Sequence, residues 1–144
     1  MVKIIEMDET VTLNQQFEEE VSAVILMNKF NVGPDEVEEF LKVFAETTKF
    51  FKLQPGFISA QLHRGIAGSS TFVNYVVWES VAHFKQAFDK PEFRSNMTNL
   101  SPGTLMSPHL FKKVAVPGIC VVCTRFDAIS VSYFCSFAKV LPVM

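Results

Sequence analysis

The 144-residue sequence predicts an α+β domain with the element order β-α-β-β-α-β. Three observations carry that expectation. Val24-Ile25-Leu26-Met27-Asn28-Lys29-Phe30 is almost continuously apolar, as a strand buried on both faces in mid-sheet requires. Thr71 to Arg94 opens as a strand and closes as a helix. Thr71 to Trp78 is mostly β-branched or aromatic, and beyond Ser80, a good N-cap, Val81, Phe84, Ala87 and Phe88 recur at helical spacing. Gly33-Pro34-Asp35-Glu36 begins another helix between the two strands, with proline at the first position and acids in the first turn. This order describes a ferredoxin-like fold, a four-stranded antiparallel sheet with two helices on one side.

In chain order, residues 1–20 read as an N-terminal arm ending in Gln15-Gln16-Phe17-Glu18-Glu19-Glu20. The first strand covers Val21 to Phe30. The helix that follows carries one apolar stripe, Val37, Phe40, Leu41, Phe44, Thr48 and Phe51, and stops at Gln54-Pro55-Gly56. Phe57 to His63 is the second strand, with Phe57, Ser59, Gln61 and His63 on one face. After the Gly65–Ser70 loop the third strand places Phe72, Asn74, Val76 and Trp78 together on one face and Val73, Tyr75 and Val77 on the other. Its helix ends before Pro91, and a short helical piece runs through Phe93 and Met97. Asn99 to Pro108 reads as a loop and His109 to Val116 as the fourth strand. The domain thus spans 21–116, and 117–144 is an apolar C-terminal extension expected to pack on the domain or on a partner subunit. Lys139 and Pro142 interrupt it, so it falls short of the ~20 apolar residues of a membrane span.

Two helices cover only one side of a four-stranded sheet. The face carrying Phe72, Val76 and Trp78 is expected to be the uncovered one, and so large an apolar surface invites association. A second copy of the same sheet is the economical cover, which predicts a homodimer built as a dimeric α+β barrel.

Composition narrows the class. The chain is 49% hydrophobic and has fifteen Phe against two Tyr and one Trp, which suits a Phe-lined core, cavity or interface. A net charge of -2 supplies no basic face for nucleic acid. The acidic start lacks a basic, then apolar, secretory pattern, which points to a cytoplasmic protein. Cys120-Val121-Val122-Cys123 has the C-x-x-C form, but strand-like flanks turn the two thiols to opposite sides, so a metal site is not expected there. Cys135 brings the cysteine count to three, which does not fit a paired disulfide framework.

From about Val24 to Val116 the chain resembles the antibiotic biosynthesis monooxygenase domain of the dimeric α+β barrel superfamily. The resemblance rests on Gln54-Pro55-Gly56-Phe57, Leu62-His63-Arg64, Asn74-Tyr75-Val76-Val77-Trp78-Glu79-Ser80 and Pro91-Glu92-Phe93-Arg94. Within that family it is most similar to the cofactor-independent monooxygenases that oxidise tricyclic aromatic polyketides to quinones. The resemblance implies that Asn74, Trp78, His63 and Arg94 line the pocket and act in catalysis. Phe72, Val76, Phe84 and Asn28 are the expected substrate-binding positions. A tyrosine of that pocket corresponds to Phe84, so its hydroxyl is missing here.

The chemistry of these side chains agrees with the implied reaction. An acidic aromatic C–H or phenol becomes reactive toward oxygen as its anion, which supplies the electrons without a metal or flavin. The pocket then needs apolar walls, a donor or cation for the oxyanion, and a proton acceptor. Arg94 suits a phenolate, His63 a proton shuttle, Asn74 a ring oxygen, and Trp78 a stacking surface or an indole donor. The alternative is a non-catalytic small-ligand-binding or structural homodimer with the same barrel. Haem degradation, another activity of the superfamily, fits less well. Asn28 matches its strand asparagine, but its tryptophan and histidine positions fall on Ala87 and Met97.

Overall fold

The computed structural model describes residues 2–120. One compact unit ends at Lys112 and a second begins at Lys113. In the second unit, Val116 and Cys120 form an isolated antiparallel bridge, and the Cys120 thiol donates to the Val114 carbonyl at 3.4 Å. The expectations for Cys123, Cys135 and most of the apolar extension fall outside the described residues.

The first unit contains β1 (Lys3–Ile4), α1 (Leu13–Gln16), β2 (Ser22–Asn31), a 3-10 turn at Pro34–Glu36, α2 (Val37–Lys52), β3 (Phe57–Arg64), β4 (Thr71–Ser80), α3 (Val81–Phe88), α4 (Pro91–Met97) and β5 (Leu105–Phe111). The sheet order is β1-β5-β2-β4-β3. The four long strands pair antiparallel and β2 is central, so the predicted ferredoxin-like core is present. A fifth strand is added: β1 lies parallel to β5. Farther along that edge the Gln16 side chain takes the place of a neighbour. Its amide oxygen accepts from the Leu110 N–H and its NH2 donates to the Leu110 carbonyl, both at 2.8 Å, which closes an otherwise open strand edge.

β5 begins earlier than the sequence suggested, because Ser107-Pro108 reads as loop. The Met106 carbonyl accepts from the Ile5 N–H and the Leu110 N–H points to Gln16. Residues 106, 108 and 110 therefore turn their backbone polar groups toward the outer edge. Pro108 lacks a donor only where no inner neighbour needs one, which is where a strand tolerates proline.

The covered face of the sheet is the reverse of the one expected. α2 and α3 pack on the side carrying Phe72, Asn74, Val76 and Trp78. Phe40 of α2 lies 4.9 Å from Phe72, Phe51 meets Trp78 edge-on at 5.7 Å, and Phe84 of α3 lies 5.6 Å from Trp78. Trp78 has no exposed surface. Val73 is 38% exposed, and Tyr75, Val77 and Met27 beside it are half-buried. Both faces of β4 are apolar, so alternation alone does not say which one the helices take. The larger side chains went under the helices, where burial removes most apolar area from water.

The helix stripe is also rotated slightly. Phe40, Val43 and Thr47 are the buried residues of α2, whereas Leu41 is 40% exposed. β3 is reached from α2 through Gln54-Pro55-Gly56, and Gly56 is obligatory in that turn. Its φ is +83°, and a Cβ there would stand 2.3 Å from the His83 ring, far inside contact distance.

Candidate active site

The site begins with one rung of the sheet. Asn28 of β2 lies directly opposite Asn74 of β4, which brings their Cβ atoms to about 5 Å. Above and below, the same face continues as Phe30–Phe72, Leu26–Val76 and Val24–Trp78. Two buried clusters fill it. One gathers Val24, Leu26, Val76, Trp78, Phe84 and Leu110; the other gathers Phe30, Phe40, Val43, Phe72, Leu100 and Met106. The asparagine rung divides them.

A chamber of about 40 Å³ lies between this face and α2, walled by Phe30, Phe40, Phe44, Phe51, Met97 and Leu100, with Thr47 and Asn74 among its polar lining. The Oδ1 atoms of Asn28 and Asn74 and the Thr47 hydroxyl are buried and have no hydrogen-bond partner. Asn28 is 7% exposed and Thr47 8%. Unmatched amide and hydroxyl groups at such depth cost roughly 1–3 kcal/mol each, so polar ligands or waters are their expected complement. A chamber of this size admits water but not a ring system. An amide turns either end inward by a flip, so each asparagine offers an acceptor for a hydroxyl or a donor for an oxyanion.

The anticipated residues divide into three groups. Asn74 lines the chamber, and Asn28 is its cross-strand partner. Phe72, Trp78, Val76 and Phe84 are buried around them. Phe72 backs Phe40, and Trp78 stands behind Phe51, which does line the chamber. The Trp78 indole N–H is buried without an acceptor. Phe84 is packed between Phe17, Trp78 and Phe88, away from the chamber wall.

Arg94 and His63 are exposed. Arg94 sits on α4 one turn before Met97, which lines the chamber. Arg94 itself does not line it, and among the described residues it has no ion-pair partner. His63 pairs with Val73, so it leaves the sheet on the face opposite Asn74. The alternation of β3 slips at Ile58, where a bulge separates the Phe57–Trp78 and Ser59–Val77 pairs. Phe57 therefore joins the core beside Trp78, while Ser59, Gln61 and His63 take the other side. Within one chain His63 is not brought to the chamber.

Thr47 was missed by the sequence reading, which placed Thr48 on the stripe. The available signal was a threonine four residues after Val43 on the buried side of an otherwise aromatic helix. Among the described residues no group of three His, Cys, Asp or Glu side chains is arranged to hold a metal ion.

The sequence profile described as Antibiotic biosynthesis monooxygenase matches residues 23–98. The chain belongs to this family. The matched span contains the Asn28–Asn74 rung, Trp78 and all of α2. Deoxynogalonate monooxygenase of Streptomyces nogalater is 38% identical over 79 residues, which cover 54% of this chain and 64% of that protein. This chain thus spans somewhat under two thirds of the curated relative's length. The structure of SnoaB, a cofactor-independent oxygenase from Streptomyces nogalater, is 30% identical with a TM-score of 0.58, covering 68% of this chain and 99% of SnoaB. A conserved protein from Methanosarcina mazei reaches a TM-score of 0.59 at 15% identity over 65% of this chain and 94% of its own. That likeness concerns the fold alone. No helix among the described residues is long and apolar enough to cross a membrane.

Proposed function

We propose that this member of the family is a cofactor-independent monooxygenase that converts an electron-rich aromatic, of the anthrone or hydroquinone class, into a quinone with O2. The observation that carries the reading is the Asn28–Asn74 rung, two amides with unpartnered buried oxygens beside an otherwise apolar chamber. The similarity to a cofactor-independent oxygenase supports the same chemistry.

With an anthrone, the substrate's methylene loses a proton and the resulting carbanion reduces O2. One oxygen atom becomes the new carbonyl, and the other leaves as water with the two methylene hydrogens. Asn74 and Asn28 hold the ring oxygen whose negative charge grows as the proton departs, a preorganised stabilisation in a site without bulk water. The Thr47 hydroxyl adds a donor on the helix side. Trp78 holds Phe51 edge-on and keeps the chamber's far wall rigid. Arg94, exposed on α4 one turn from the chamber-lining Met97, attracts the phenolic substrate and its anion. We assign no chamber role to His63.

We further propose that two copies associate through the open sheet face, where Met27, Val73, Tyr75 and Val77 leave apolar surface uncovered. The expected interface is isologous, each strand meeting its own copy.

Oxygen consumption by the purified, chelator-treated protein with a panel of anthrones and hydroquinones, against a heat-inactivated control, tests the activity. With an anthrone, labelled O2 should deliver one atom to the quinone and one to water. Binding of the panel without oxygen uptake would replace this reading with a ligand-binding role.

A further inference from the structure

Beside the chamber lies a second hollow of about 260 Å³, between the start of α2 and the segment joining α4 to β5. Glu36, Glu39, Asn99, Ser101 and Thr104 give it a polar lining. Phe40 and Leu100 line both this hollow and the chamber, so they form a shared partition. Neither space alone reaches the roughly 300 Å³ at which small-molecule sites begin, but together they do.

The outer hollow is built rather than incidental. Thr104 is 1% exposed, and its hydroxyl has no partner. The Ser101 hydroxyl donates to Glu36 at 2.5 Å, which ties the α4–β5 segment to the start of α2. Glu39 is exposed and lies 3.5 Å from Lys42, which is itself solvated. No lysine or arginine lines the hollow. Such a lining accepts hydroxyl donors and repels carboxylates. Phe40 is locked by the rings of Phe30 and Phe72 at 5.0 and 4.9 Å. Leu100 instead lies on a connecting segment, where displacement costs least.

We propose that the outer hollow is a substrate subsite, which takes the uncharged, hydroxyl-bearing rings of a polycyclic phenol while only the oxygen of the reactive ring reaches toward Asn74 in the chamber. Leu100 swings aside to join the two spaces, Thr104 bonds a ring hydroxyl, and Glu36 with Glu39 discriminates against carboxylated rings. The subsite rests on the oxygenase reading for the identity of the ring, and it is tested by binding alone.

Binding is measured without oxygen through quenching of the single tryptophan, Trp78, by anthrone, 1,8-dihydroxyanthrone and anthraquinone-2-carboxylate. The dihydroxy ring should bind at least tenfold more tightly than the other two. Thr104→Val should weaken that ring about tenfold, by loss of one buried hydrogen bond, and leave unsubstituted anthrone unchanged. Glu39→Phe, made at an exposed helix position and leaving Trp78 the single tryptophan, should plug the hollow and weaken both anthrones at least tenfold. Wild-type affinity in both variants, or failure of the wild-type protein to bind any of the three rings, would overturn the subsite. Readmitting air to the same samples separates the two ideas. Tight, Thr104-dependent binding without oxygen uptake would defeat the oxygenase reading and leave the subsite standing.

Discussion

Two halves of one sheet face, built by the same strands and covered by the same helix layer, end in opposite states. Around Trp78 the packing is closed: Phe51 and Phe57 meet its indole edge-on at 5.7 and 5.4 Å, and Phe84 tilts against it at 5.6 Å. Around Phe40 the rings are equally close, with Phe30 at 5.0 Å and Phe72 at 4.9 Å, yet the chamber and the outer hollow both open there. The boundary is the Asn28–Asn74 rung. Hydrocarbon side chains can close on one another, whereas an amide against hydrocarbon loses its water without replacement. Two amides facing each other across a sheet therefore keep the core from sealing at that level. A cavity here needs no special backbone, only a polar rung placed between two apolar ones.

The largest effect should come from replacing that rung. Asn28→Leu with Asn74→Leu should extend the closed half into the open one, raising stability by about 1–3 kcal/mol for each relieved polar group and lowering turnover at least a hundredfold. Chemical denaturation and oxygen uptake on the same protein check both signs; full activity would remove the rung from the mechanism. On the closed side, Trp78→Ala should cost about 3–5 kcal/mol, read as a drop in denaturation midpoint. Trp78→Phe should cost less and separate packing from chemistry.

The open sheet face gives a smaller, pH-dependent effect. Burial raises the Tyr75 phenol above its usual 10.0, because the phenolate is the form that loses solvation. A raised native pKa means that this contribution to stability is complete below pH 10.0 and is lost as pH rises through the native value. Tyr75→Phe should flatten that alkaline decline, and Tyr75→Lys should convert the proposed dimer to monomer in light scattering. The smallest effect belongs to Asp8, whose carboxyl is held below 3.8 by hydrogen bonds from the Thr10 backbone and side chain. Its contribution is present above 3.8 and disappears as pH falls through the lowered value, so Asp8→Ala should lower neutral stability slightly and leave stability in strong acid unchanged.

Much of the fold was legible. The largely apolar run from Val24 to Phe30 marks the central strand, which is paired on both edges. Burial on both faces was expected, but Met27 and Lys29 lie on the face that the helices leave open. Ser80 ahead of Val81 and Phe84 marks the strand-to-helix switch, and the Ser80 hydroxyl does accept from the His83 N–H at 3.2 Å. β5 was less legible because Pro108 reads as a breaker until its empty donor position is seen to face the sheet edge. The side on which His63 emerges depended on a single bulge, which leaves no mark in the alternation of Phe57 to His63.

The sequence by itself determined the class of fold, the central strand and the family, and named Asn74 and Asn28 among the candidate site residues, because periodicity and local motifs follow from backbone geometry within a few residues. Only the tertiary structure decided which face of β4 the helices bury, that Asn28 and Asn74 form one rung, that Thr47 joins Thr48 in lining the chamber and is the more deeply buried of the two, and that Phe40 and Leu100 separate two spaces. Those facts depend on strand register and on competition between distant apolar surfaces for the same cover. Free energies of that kind are summed over the whole core and are not written at any one position.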